Sequence, residues 1–445
     1  MIDKERIREA LKTAINYSTA DQLEVIASSR NIALTRFSNN YIHQNVAETN
    51  MSISIRAVVG KRLGYASTNR LDKDSIENVV DKAIENAVHR PPDLDFVSLP
   101  EPKQITERDL IARSTIEYTP KERAADVLKF INIVSPHNLV AAGAFSTGYS
   151  TIGVANSLGV SAVEVISEAE LKAVVMSDTS SAYASAISTS ASSIDIERLA
   201  TTAKETAIAA QNPIELAPGR YTVVLSPDAV ADMISFMAFA GFGALSLQEG
   251  RSFMKDRFGE KILSPLVSIW DNAFDPNTIG LTFDFEGVPK QKIVFIENGV
   301  AKGVCYDSYT ANKEGKESTG HALPAPNTYG PLPLNLVMAA GDSSLDDMIK
   351  SCERGILVSR FHYTNLEDPI KTILTGMTRD GTFLIEDGKI KTPIKNLRFT
   401  QSIIDALSRV ELISRDRILK DAILGAVFVP WVKISEFNFT GATQF

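Results

Sequence analysis

The chain has 445 residues, 44% of them hydrophobic and 22% charged, with a formal net charge of −8. This is the composition of a folded protein too long for one ordinary core, so two or three domains are predicted. The acidic balance and the lack of a long basic run exclude general binding to nucleic acid or to an anionic membrane. The two cysteines, Cys305 and Cys352, are too few for a disulfide framework and fit a reducing, cytoplasmic setting.

In chain order, MIDKERIREALKTAI has the period and mixed charge of an amphipathic helix rather than a secretory signal. Residues 23–67 alternate like strands in four pieces, LEVIAS, NIALTRF, YIHQNV and MSISIRAVV, and VVGKRLGYAS predicts a hairpin turning at Gly60–Lys61. A helix follows, with Ile76, Val79, Val80, Ala83, Ile84 and Ala87 on one face and Ser75 or Asp74 as its N-cap. Another starts at Thr119, where Pro120 takes the first helical position and Glu122 completes a capping box. The Ala-, Ser- and Thr-rich segments from LVAAGAFSTG to AYASAIS alternate as an antiparallel sheet, and a helix near 195–211 ends before Asn212–Pro213.

The main boundary falls in PIELAPGR, giving an N-terminal α+β region over 1–215, with a subdivision near 95–118, and a β-rich region over 216–445. The second region opens with the strand YTVVLS. Ser226 then caps a helix with Pro227 at its first position, and this helix is apolar, VADMISFMAFAGFGAL. ENG at 297–299 and EDG at 386–388 predict two hairpins, and the chain closes in short strands, VFVPWVKI and SEFNFTG. No run reaches the ~20 apolar residues that span a bilayer. The fold class predicted is α+β with antiparallel sheets.

Candidate chemistry is sparse. None of the five histidines pairs at helix-turn spacing, there is no GxSxG elbow, and QEGRSF lacks the spacing of a phosphate loop. His43, His89 and His137 read as structural or solvated. His321, in the loop STGHA, and His362, in SRFHYTN beside Arg360, stand out. With Thr375, Arg379 and Asp380 of TGMTRDG they form a candidate substrate-binding set for an anionic or peptide ligand. The alternative for Asp380–Gly381 is a turn closing a hairpin. Asp228 and Asp232, four apart, read as acidic residues favoured by a helix N-terminus. No catalytic residue and no metal ligand is assigned.

An ordered series of segments resembles the TldD/PmbA family, also known as modulator-of-gyrase-like proteins. The segments are GYASTN (64–69), ANSLG (155–159), PGRYTVVLSPDAV (218–230), EGRSFMKDRFGEKI (249–262), FDFEGVPKQKIVFIENGVAKGV (283–304), STGHA (318–322), RGILVSRF (354–361) and FLIEDGKI (383–390). The resemblance implies two kinds of subunit. The TldD type carries HExxxH on the helix before the SF loop and a cysteine near its C-terminus; these hold a metal, usually zinc, for peptide hydrolysis. The TldE/PmbA type lacks the motif and pairs with the TldD type. Here the corresponding stretch, about 233–241, reads MISFMAFAG, and no cysteine follows Cys352.

The expectation is therefore a non-catalytic TldE/PmbA-type subunit, without a cofactor of its own, in a dimer whose TldD-type partner carries zinc and which cleaves unfolded or extended peptides. A homodimer is expected in isolation, with no nucleic-acid or membrane partner. Two alternatives stand beside it: a self-sufficient metallopeptidase with a site rebuilt from His321, His362, Asp307 and Asp380, and a regulatory module acting on a topoisomerase through protein contact.

Overall fold

The computed structural model describes residues 3–443. Its first region is one antiparallel sheet of six strands in the order β3-β2-β1-β4-β5-β6. The strands are β1 (Gln22–Ser38), β2 (Tyr41–Val59), β3 (Arg62–Thr68), β4 (Val140–Asn156), β5 (Ser161–Met176) and β6 (Ser181–Ser188). The four strands expected between 23 and 67 are thus three. LEVIAS and NIALTRF run on as β1, and YIHQNV and MSISIRAVV as β2, because neither Gly nor Pro interrupts either run. The turns fall where left-handed backbone is available, at Asn39–Asn40 (φ 52° and 60°) and at the expected Gly60–Lys61 (φ 52° and 61°).

Helices cover one face of this sheet. Ile7, Leu11 and Ala14 of α1 (Lys4–Tyr17) and Val79, Val80 and Ala83 of α2 (Lys73–Val88) pack on Leu23, Val25, Ala27, Ile53 and Ile55. Asp72 caps α2 by accepting from Ser75 N, so the cap lies two to three residues earlier than expected. After the short α3 (Arg113–Ile116), α4 (Pro120–Val134) starts on the expected Thr119–Glu122 capping box. With α5 (Ile196–Ala209) it covers Phe37, Phe145 and Leu171. On β1, Ile26 points the other way, as the period of two requires, and with Ile152 and Ile166 meets Leu281 and Phe283 of the second region.

The second region holds an eleven-stranded mixed sheet. Strand β7 (Gly219–Leu225) leads through the expected Ser226 cap and Pro227 into α6 (Pro227–Gly241) and the short α7 (Ala244–Gln248). A small lobe follows, with β8 (Ile269–Asp271), β9 (Ile293–Glu297), β10 (Val300–Ala301), α8 (Ser308–Lys313), β11 (Leu336–Met338) and α9 (Leu345–Lys350). The rest is β12 (Arg354–Asp368), β13 (Ile373–Glu386), β14 (Lys389–Pro393), β15 (Leu397–Ser402), α10 (Ile403–Ser408), β16 (Val410–Ala422) and β17 (Gly425–Ala442).

Because β7 pairs in parallel with β12 and antiparallel with β17, the path β17-β15-β13-β12-β7 closes on itself and leaves no free edge among these five. Both expected hairpins form, with left-handed Asn298–Gly299 and Asp387–Gly388. The two expected terminal strands are the single β17, which bends at a register shift between Ile434 and Phe437. The expected turn at Asp380–Gly381 is instead a bulge inside β13. Val358 faces Thr382 and Arg360 faces Arg379, so the two left-handed residues (φ 56° and 113°) stand opposite Ser359 alone.

Buried charge ties the two regions together. Arg56 of β2 reaches Glu24 of β1 at 2.5 Å and Glu286 of the second region at 3.1 Å, with all three side chains almost out of water. Arg108 donates to the carbonyls of Ala273, Asp275 (2.7 Å) and Thr278 (2.8 Å). Removing one member of a buried cluster strands the others as uncompensated charge. Arg56→Met is therefore expected to lower unfolding stability by about 3 kcal/mol, read as a fall in the urea midpoint. An unchanged midpoint would show that the cluster does not bear on the folded state.

Candidate functional site

A cavity of about 710 Å³ opens between the regions. One side is Ile166 and Glu168 of β5 with Ile187 of β6. The other is built by Phe239 of α6, the 279–285 loop, Lys290, the loop from Ala322 to Asn335, and the β16–β17 turn at 421–426. Most of this wall is apolar.

Helix α6 is the element on which the resemblance places metal ligands. Met233, Ile234, Met237, Ala238 and Ala240 are buried in the main core, and Phe239 turns to the cavity, its ring 5.5 Å from that of Tyr329. Thioether, phenyl and methyl groups offer no oxygen or nitrogen donor to a borderline dication. The helix ends on Gly241, where a Cβ would lie 2.5 Å from the Phe253 ring, and Ser252 Oγ donates to its carbonyl at 2.8 Å. It thus fixes the 244–254 loop by packing. Among the described residues no three His, Cys, Asp or Glu side chains stand together as a metal-binding group. A zinc ion does not fit the residues present.

Behind the cavity lies a polar cluster. His321 is fully buried, with Nε2 3.2 Å from Asp271 Oδ1 but completing no hydrogen bond, and Nδ1 2.9 Å from Thr319 Oγ1. Burial and then the Lys290 charge push the imidazole down, towards its neutral form. Against the cost of burial, His321 and Lys290 hold the Asp271 carboxyl below its usual value, and Asn335 N donates to its Oδ2 at 2.6 Å. Of these two influences on Asp271, the Lys290 ammonium is the lasting one, since a neutral imidazole brings no charge. Asp284 accepts from the N–H groups of Ala322, Glu286 and Val288, each at 2.9 Å. Burial pushes the Cys305 thiol up, and it donates to Phe242 O, so it is an inert core residue.

The sequence-predicted set divides. Arg360, His362, Thr375, Arg379 and Asp380 stand on the adjacent strands β12 and β13. Asp380 holds Arg360 through Nε at 2.5 Å and accepts from Ser181 Oγ of β6 at 2.5 Å, while Arg360 covers the Tyr183 ring at 4.1 Å. Arg379 Nε is 3.9 Å from Asp380, His362 packs on Tyr363, and Thr375 donates to Phe399 O. His321 stands apart from these five in its partners, on Asp271 and Thr319. Asp307, named with His321, His362 and Asp380 in the rebuilt-site alternative, caps α8 through Thr310, so these four serve different partners. Lys290 and Asn335 were not singled out in the sequence: Lys290 is one of two lysines in VPKQK, a stretch that carries the resemblance but marks no chemistry, and Asn335 only closes PLPLN.

A capped sheet region is thus joined to a closed β region around an apolar cavity. The family model described as PmbA/TldA metallopeptidase C-terminal domain matches residues 218–441, and PmbA/TldA metallopeptidase domain 1 matches residues 23–87. The chain belongs to the PmbA/TldD family. It is similar to the metalloprotease PmbA homolog of Haemophilus influenzae, with 24% identity over 97% of this chain and 96% of that one. With the metalloprotease TldD homolog of Buchnera aphidicola the identity is 33%, over 38% of this chain and only 35% of that one. The crystal structure of TldE from Thermococcus kodakarensis superposes with a TM-score of 0.89 at 23% identity, over 98% of this chain and all of that one, a likeness of fold.

The acidic pair on α6 is partnered as well as favoured by the helix N-terminus. Asp228 meets Lys420 at 2.8 Å and accepts from Ser185 Oγ, and Asp232 accepts from Thr364 Oγ1 at 3.3 Å. Burial, then the Asp228 charge, pushes Asp232 up to about 7, with Arg360 opposing and Asp421 assisting. An acid raised in the folded state binds more protons there than in the unfolded chain, so its contribution falls as pH rises between the unfolded value, about 4, and about 7. Asp232→Asn keeps the acceptor and removes the titration. The variant is expected to gain stability on the order of 1–3 kcal/mol at pH 8 and little at pH 4, measured by urea unfolding at both. An equal gain at both pH values would rule out the titration as cause.

Proposed function

We propose that this chain is the non-catalytic, TldE/PmbA-type subunit of a heteromeric cytoplasmic metalloprotease that cleaves unfolded or extended peptides. A TldD-type partner would supply the metal, with zinc the expected ion. The observation that carries the reading is a helix stretch without His, Cys, Asp or Glu: Met233–Gly241 buries apolar groups and the Ser235 hydroxyl and presents Phe239 to the cavity. Family membership and whole-length similarity to the PmbA homolog support it. This chain's part is then to shape and dry one wall of a peptide cleft, not to hold or move a proton. In the absence of the partner it would associate with itself.

The test is reconstitution. Purified chain mixed with a TldD-type protein bearing HExxxH is expected to form a stable complex by size-exclusion chromatography and to raise cleavage of an unfolded peptide at least tenfold over either protein alone. Absence of both the complex and the gain would sink the assignment. Peptide hydrolysis by this chain alone, abolished by chelator, would replace it with a self-sufficient enzyme.

A further inference from the structure

The cavity contains two polar side chains that the fold leaves without partners. Lys290 is 6% exposed and lines the wall; among the described residues its ammonium makes no hydrogen bond and no ion pair. Asn335 is 1% exposed and lines the same wall, and both its Oδ1 and its Nδ2 lack a partner. The room for that amide comes from Gly280, where a Cβ would fall 1.8 Å from Oδ1. Both residues flank Asp271, one through its charge and the other through its backbone N–H. A buried amide with neither hydrogen bond made is unfavourable, and the two residues lie on one wall.

Charge selects the ligand. The Lys290 ammonium is already balanced at longer range by Asp271; burial pushes Glu168 and Asp284 up towards their neutral forms, and Asp421 is paired with Lys172 at 2.7 Å. An entering carboxylate would therefore meet no unbalanced cation on this wall. An uncharged amide gives Lys290 a carbonyl acceptor and Asn335 a donor and an acceptor, and leaves the charge balance unchanged. The remainder of the wall, with Ile166, Phe239, Leu281, Phe283 and Leu332, suits an apolar body of amino-acid size.

We propose that this cavity is a binding subsite for a bulky apolar residue of a peptide, its neighbouring amide engaging Lys290 and Asn335. The inference deepens the subunit assignment by naming what this chain itself would recognise. It is tested on the isolated full-length chain, so failure of pairing with a TldD-type protein and failure of this subsite appear in different measurements.

The probes are N-acetyl-phenylalanine amide, N-acetyl-glycine amide, N-acetyl-phenylalanine as the free carboxylate, and acetyl-Ala-Phe-Ala amide, followed by ligand-observed NMR titration. Phenylalanine amide is expected to bind about tenfold more tightly than the glycine amide and than the carboxylate. The tripeptide should bind at least as tightly, which marks a peptide rather than a free small amide as occupant. Lys290→Met and Asn335→Leu are each expected to weaken binding about fivefold. Leu323→Trp, a half-buried wall position, fills the space without touching the polar pair, and should abolish binding while the chain stays folded by circular dichroism. A preference for the carboxylate, equal binding of the glycine amide, a tripeptide excluded while the single amide binds, binding that survives Leu323→Trp, or no binding by any probe would overturn the proposal.

Discussion

The structure depends on a helix that is buried over most of its circumference, with its polar residues near its N-terminal half. Of the fifteen residues of α6, eleven are buried, and they meet strands from both the start and the end of the second region, β7 and β12 on one hand and β16 and β17 on the other. A helix of this kind is a core element. Its small residues Ala231, Ala238 and Ala240 are buried, and its termination on Gly241 leaves room for the Phe253 ring and fixes the following loop through Ser252. A histidine or glutamate on such a surface would bring a polar group into hydrocarbon packing and require a partner there. The same side chains that make α6 a good keystone deny it a role as a bearer of metal.

Around that keystone the two regions are held by cations reaching across. Arg56 meets Glu286, Arg108 meets three carbonyls, and Lys172 of β5 meets Asp421 near the end of β16 at 2.7 Å. Asp380 does the same from the other side through Ser181. These clasps join the two regions at several separate points, and one of them, at Asp421, lies on the cavity wall itself. The closed path through β7, β12, β13, β15 and β17 stiffens the second wall further, because no strand in it can peel from a free edge.

Much of the local structure was legible because it follows from short-range physics. Thr119–Glu122 and Ser226–Pro227 start helices by supplying acceptors to free N–H groups, and Asn298–Gly299 and Asp387–Gly388 turn because they tolerate a left-handed backbone. Asp380–Gly381 carries the same local signal and gives a bulge, since β12 continues past it and the strand has a partner on either side; only tertiary pairing separates the two outcomes. Strand length was underestimated for a related reason: the polar interruptions, the buried Ser29 with the exposed Arg30 in β1 and the exposed stretch 48–50 in β2, stay within one paired strand. At the cavity, the apolar wall from α6 could be read directly, whereas Lys290 and Asn335 could not, because their meaning lies in partners they lack.

That last distinction separates the polar residues of the second region by what they can still do. Arg360 and Asp380 sit in a region full of titratable groups, but each is already spent: carboxylate on guanidinium and serine, guanidinium on the tyrosine face. Such a pair holds shape, and a ligand competing for it would have to break contacts worth as much as those it makes. His321 is intermediate, hydrogen-bonded on one nitrogen and only close to Asp271 on the other. Asn335 has both amide atoms out of water and unpaired, and Lys290, almost buried as a residue, has no side-chain partner among the described residues. A fold with ample polar groups nearby tolerates that deficit at two neighbouring points of one cavity. The economical physical account is that the missing partner arrives from outside the chain.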